Sequence, residues 1–223
     1  MKIQEILEAF DPYANHDPMN KRNKKVGVVN DAAHMAEIIK ANCGSMVTAY
    51  QNSNERLLRG MNGGHTDAII TAIRPDRKPL YMGEESHKIL QQAFTDLGLT
   101  ANRTNSIFCT TAIDTAEDWG EVYAIFVKDG WEGTVFSKVG KGYAFNKLEV
   151  YADEYLDDGD YYKLVDAIQK LQPTIIRNSS DLTTVLNSRY EDILITGDSY
   201  IGLEYHSKLY DEVDKLLNLK NYT

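Results

Sequence analysis

The longest apolar runs of this chain, such as Tyr123–Val127 (YAIFV), are of strand size. A membrane-spanning helix needs roughly 18 consecutive apolar residues, so the chain is expected to fold in water. Further short runs recur along it: Ala68–Ile73 (AIITAI), Ser106–Thr111 (SIFCTT), Val135–Val139, Tyr190–Thr196 (YEDILIT) and Ser199–Tyr205 (SYIGLEY). Helical periods lie between and around them, so helices and short strands share the chain. That mixture predicts an α+β fold built on a mixed or antiparallel sheet. Regular strand–helix alternation with a Gly-rich first turn is missing, which makes a doubly wound nucleotide fold a poor fit.

The expected helices follow from apolar spacing and cap signals. Asn30 is a candidate cap for Asp31–Asn42, whose Met35, Ile38 and Ile39 mark one face. Ile89, Leu90, Phe94 and Leu97 give His87–Leu97 a helical period that Gly98 ends. Shorter helices are expected over Asp114–Trp119 and Asp181–Leu186, the second capped by Ser179 or Ser180. Leu148–Leu171 reads as mostly helical with a break near Asp157–Asp160, and Leu209–Leu219 as a last amphipathic helix. Arg56–Gly60 (RLLRG) looks like a short strand ended by MNGG.

Residues 1–28 read as a loosely attached N-terminal arm, with a helix candidate over Ile3–Phe10 followed by turn formers and charge. Residues 29–223 read as a single domain, a length that suits one core. Glu5, Glu8 and Asp11 stand where a signal peptide keeps its apolar stretch, so an intracellular location is expected.

Charge narrows the function. Asp and Glu total 33 against 24 Lys and Arg, a formal net charge of -9. A nucleic-acid binder of this size usually has the opposite sign, because phosphate neutralisation supplies most of its affinity. Cys43 and Cys109 are the two cysteines, and no CxxC, HExxH or EF-hand spacing occurs. Neither a disulfide framework nor a structural metal is expected.

Three segments carry residue types suited to a site. Arg59-Gly60, followed by Asn62-Gly63-Gly64-His65, puts a planar fork of donors beside glycines that let a ligand approach the backbone. The same pattern also describes a surface arginine beside a loop. In the second segment, alternation places Ser106, Phe108 and Thr110 on one strand face and Ile107, Cys109 and Thr111 on the other. Hydroxyls at a strand end can hold a carboxylate or a sugar, although a strand running into a helix cap looks alike. The third, Arg189-Tyr190-Glu191-Asp192, opens an apolar strand with a carboxylate able to stabilise a developing cation.

Taken in order, LLRG, IFCTT and YEDILI resemble the R–S–E arrangement of mono-ADP-ribosyltransferases. The stretch NRTNSIFCTTAIDTAEDWGEVYAIFVKDGWEGTVFS resembles small proteins of tailed bacteriophages, in which such a strand precedes an A-x-x-[YW]-G helix end. The similarity runs over about residues 35–203.

The resemblance implies a split mixed or antiparallel sheet flanked by helices, and NAD as co-substrate. It implies that Arg59 clamps the pyrophosphate, with Gly60 beside it. Thr110 and Thr111 would position Glu191 and line the nicotinamide ribose pocket. Glu191 would bind the ribose 2′-hydroxyl and stabilise an oxocarbenium-like transition state. Cys109 stands where the enzymes usually carry Ser, and Phe108, Tyr123 or Trp131 would stack on the nicotinamide. Arg189 replaces the Glu or Gln that many toxins have two residues before the glutamate. The implied acceptor is a host protein or RNA, and the implied place of action is the host cytoplasm, with the protein either packaged in the virion or made early in infection. The alternative reading is a catalytically inactive virion-associated or host-binding protein on the same fold.

Overall fold

The computed structural model describes residues 31–62, 66–77, 83–136, 148, 150–155, 160–188 and 192–219. The expected arm, residues 1–28, lies outside them. Helix α1 spans Ala32–Asn42, and Asp31 caps it, its Oδ1 accepting from the N–H groups of Ala33 at 2.9 Å and His34 at 3.2 Å. A carboxylate there satisfies donors the first turn cannot use internally, so the helix starts one residue later than the Asn30 signal suggests. Met35, Ile38 and Ile39 are buried as their spacing predicts.

Helix α2, Gly44–Gln51, has no counterpart in the sequence expectations. Its cap residue, Cys43, makes no side-chain bond. Instead the Asp129 carboxylate accepts from the Gly44 and Ser45 N–H groups at 2.9 Å each, from 84 and 85 residues away. A start signal so distant is invisible in a local window.

Strands β1 (Leu58–Met61) and β2 (Ala68–Ala72) follow, then helix α3 (Glu84–Asp96). Next come β3 (Ser106–Cys109), the short helix α4 (Ile113–Glu117), β4 (Glu121–Val127) and β5 (Glu132–Phe136). Helix α5 (Tyr161–Lys170), β6 (Pro173–Ile176), α6 (Ser179–Asn187), β7 (Ile193–Thr196), β8 (Ser199–Glu204) and α7 (Lys208–Leu216) complete the described chain. Residues 148 and 150–155 are helical too. Strand β6 was not expected, and α6 is capped by Asn178, which accepts from Asp181 N–H, rather than by Ser179 or Ser180.

The strands form two four-stranded sheets, β1-β4-β8-β2 and β3-β7-β5-β6. Every strand pair in both is antiparallel, so the α+β expectation resolves to antiparallel sheets. Two chain segments pass from one sheet to the other side by side, β4 into β5 and β7 into β8. The crossing is pinned by Lys128, whose N–H donates to the Ser199 carbonyl at 3.0 Å and whose Nζ meets Asp198 at 2.8 Å.

The second sheet is covered on both faces, which explains why β7 is a solid apolar run. Ile193 and Ile195 face one core with Ile107, Cys109, Val135 and Ile176. Leu194 faces a second core with Phe136, Leu90, Phe94, Leu164 and Ile168, against which Phe108 and Ile175 pack. The alternation of β3 and β7 is thus a partition between two cores. The first core also takes Tyr123–Val127 of β4 and the inner faces of α1, α2, α6 and α7. Burying a side chain such as Ile125 or Phe126 is worth about 1.5–3 kcal/mol.

A pair of glycines lies where β1 meets α4. A Cβ on Gly60 would sit 1.9 Å from the Ala116 carbonyl oxygen and 2.8 Å from the Trp119 Cβ. Gly120 has φ +124° and lies against the Met61 carbonyl. The Arg-Gly and Ala-x-x-Trp-Gly patterns are therefore the two sides of one contact, between β1 and the end of α4.

Candidate functional site

Strand β1 is an edge strand of the first sheet and β3 an edge strand of the second. They meet where Leu58 and Thr110 exchange backbone hydrogen bonds of 2.7 and 2.9 Å. This contact brings the arginine segment onto the hydroxyl segment. Arg59 is half-buried, and its Nη1 donates to the Phe108 carbonyl at 2.8 Å. Burial pushes the titration of the Tyr200 phenol up, and the Arg59 charge opposes it. The Arg59 Nε is buried and has no hydrogen-bond partner. Among the described residues no carboxylate pairs with this arginine. A buried, unsatisfied donor of a charged group costs on the order of 1–3 kcal/mol or more.

A second guanidinium lies along the same strand. The backbone N–H of Arg77 is held by the Thr104 carbonyl at 2.9 Å, and its Nη1 donates to the Ser106 carbonyl at 2.7 Å. Arg77 lies 5.8 Å from the centre of the Phe108 ring, and Arg103 lies 5.8 Å from the same centre. Burial pushes the Arg77 guanidinium down to about 10, and the charges of Arg59, Arg103 and Arg74 push it the same way. Like charges therefore gather here in a chain whose net charge is -9, a setting that attracts anions.

The remaining expected residues divide. Phe108 is half-exposed among these arginines, and it alone of the three aromatic candidates is open. Tyr123 is 3% exposed in the first core. Trp131 is equally buried, and its Nε1 donates to Ser45 Oγ at 2.8 Å, so both support packing rather than stacking on a ligand. Cys109 is also turned inward. It is 1% exposed, and burial pushes its thiol up to about 12, with Arg59 opposing. Its side chain thus packs in the first core. Gly60 serves the α4 packing described above.

Thr110 and Thr111 are buried where β3 ends, and Thr110 Oγ1 accepts from the Ala112 N–H at 3.0 Å. This local bond turns the chain towards α4. Strands β3 and β7 pair with Cys109 opposite Ile193, so the Thr110 end of β3 lies beside the start of β7. Asp192, 2% exposed, is the last residue before that strand. Glu191 and Arg189 lie outside the described residues, as do Gly63, Gly64 and His65.

Sequence reasoning passed over Arg77, Arg103 and Tyr200. The signal available for the first was Arg74, Arg77 and Lys78 within one short loop of an acidic chain. Among the described residues no cluster of three or more His, Cys, Asp or Glu suits a metal ion. No helix among them is long and apolar enough to cross a membrane. Compared with known proteins, the chain matches no family model, no curated protein and no solved structure.

Proposed function

We propose that the chain is an NAD-consuming mono-ADP-ribosyltransferase whose site lies where β1 meets the end of β3 and the start of β7. One observation carries the reading: Arg59 reaches across the sheet junction onto β3, bonding the Phe108 carbonyl at 2.8 Å with its Nε left unpartnered. Two segments matched on sequence alone are thereby neighbours, and the guanidinium is free of any carboxylate among the described residues. The described part of the third segment, from Asp192 into β7, starts at the strand end adjoining Thr110, and Glu191 precedes it in sequence. The group to be bound is a diphosphate-bearing dinucleotide, and the unpaired donors around Arg59 suit its negative charge.

The chemistry asked of these residues is bond exchange at the nicotinamide ribose. The glycosidic bond to nicotinamide breaks, a bond from the acceptor nucleophile forms, and the acceptor gives up one proton. Arg59 binds and orients the diphosphate. Glu191 holds the ribose 2′-hydroxyl and offsets the positive charge that develops on the sugar, an electrostatic role worth on the order of 2.7–4 kcal/mol. The acceptor is a macromolecule of the host, a protein or an RNA.

Labelled NAD incubated with host lysate tests the reading, with nicotinamide release followed in parallel. Wild-type protein is expected to label a macromolecule and release nicotinamide, and Glu191→Gln to do neither while still binding NAD. Wild-type activity in that variant removes Glu191 from the mechanism. NAD binding without release by the wild type points to a binding protein on this fold, and release without label to a glycohydrolase.

A further inference from the structure

We propose that Arg77, which no sequence motif singles out, forms with Arg59 a two-arginine cradle that selects a diphosphate over a single phosphate. The inference rests on the site above being one for a dinucleotide, and it names the residue that reads the dinucleotide's central linkage.

The geometry comes from the free edge of β3. Arg59 bonds the carbonyl of Phe108 and Arg77 that of Ser106, at 2.8 and 2.7 Å. Carbonyls two residues apart on a strand point the same way and lie about 6.5 Å apart. The two guanidiniums are thus docked side by side along one edge, each with most of its donors not used by the strand. Neither pairs with a carboxylate among the described residues, and Arg59 keeps a buried Nε without a partner. Two separated forks can face two linked phosphates at once, whereas a lone phosphate engages one of them well. Phe108, half-exposed, has both Arg77 and Arg103 at 5.8 Å from its ring centre. Burial first, and then the charges of Arg59 and Arg103, push the Arg77 guanidinium towards its neutral form, a tendency an anion between the two arginines would reverse.

Calorimetry on the full chain with ADP, AMP and ADP-ribose as probes tests this. The wild type is expected to bind ADP and ADP-ribose at least about tenfold more tightly than AMP. Arg77→Ala is expected to lose that preference, with AMP affinity nearly unchanged. Because Arg77 also holds the Ser106 carbonyl, Arg77→Gln is the companion variant. Its amide keeps a neutral donor for that carbonyl, so it should melt like the wild type and still fail to prefer ADP.

AMP binding as tight as ADP, no ADP binding by the wild type, or full ADP preference in Arg77→Gln would each overturn the proposal. Diphosphate selection without nicotinamide release from NAD keeps the cradle and sinks the transferase. Transfer with no dependence on Arg77 does the reverse.

Discussion

Two arginines three residues apart, Arg56 and Arg59, end up in opposite electrostatic circumstances. Arg56 is 3% exposed and fully engaged. Its Nη2 meets the buried Asp214 at 3.0 Å, its Nε donates to the Tyr210 hydroxyl at 3.2 Å, and its Nη1 serves the Ser53 and Glu55 carbonyls. It also stacks over Tyr50, 5.2 Å from the ring centre. Arg59 has a carbonyl partner but no counter-ion among the described residues, and one buried donor with nothing to bind. The first guanidinium ties helix α7 to the approach of β1. The second holds a strand carbonyl but is neutralised by no carboxylate among the described residues. That difference, more than the identity of the residue, is what supports the role proposed for Arg59.

The largest effect expected from breaking this contrast belongs to Arg56. Arg56→Ala strands Asp214 as a buried, unpaired charge and should cost about 3–5 kcal/mol in urea unfolding. A loss under ~1 kcal/mol would mean that the pair is not the anchor its burial suggests. Next comes the glycine between Arg59 and α4. Gly60→Ala forces a Cβ against the Ala116 carbonyl oxygen, at 1.9 Å before any relaxation. A loss of about 1–3 kcal/mol is expected, together with weaker NAD binding because β1 must shift. An unchanged unfolding midpoint would show that α4 can move away freely.

Arg59→Ala should have the smallest effect on stability, within about 1 kcal/mol of the wild type, because a surplus charge and an unsatisfied donor leave with it. Its effect belongs in NAD affinity, expected to fall at least about tenfold. A large stability loss with unchanged affinity would invert the comparison and make Arg59 another structural arginine.

Most secondary-structure elements were legible because their signals are local. The periods of α1, α3 and α7 and the apolar runs of β4, β7 and β8 predict their type, with ends displaced by a few residues. Helix α2 escaped because its cap comes from Asp129, and β6 because Pro173 opens it and its apolar residues serve two different cores. The site was legible in part for the same reason. Arg59 and Thr110 stand out by residue type and strand position, whereas Arg77 joins them only through the Thr104 and Ser106 carbonyls.

Cys109 shows how motif and burial can pull apart. Its motif position suggests a ligand contact, yet strand alternation delivers its thiol to the core.

By itself the sequence determined the α+β class, the acidic net charge and most of the strands, since these follow from residue type and spacing along the chain. Which strand edges meet was decided only in three dimensions. The β1–β3 junction depends on a glycine small enough to admit α4 and on the crossing of two sheets held by Lys128. Whether a guanidinium is neutralised or left charged depends on what lies across that junction. Coulombic pairing acts through space over a few ångströms, and no spacing along the chain encodes it.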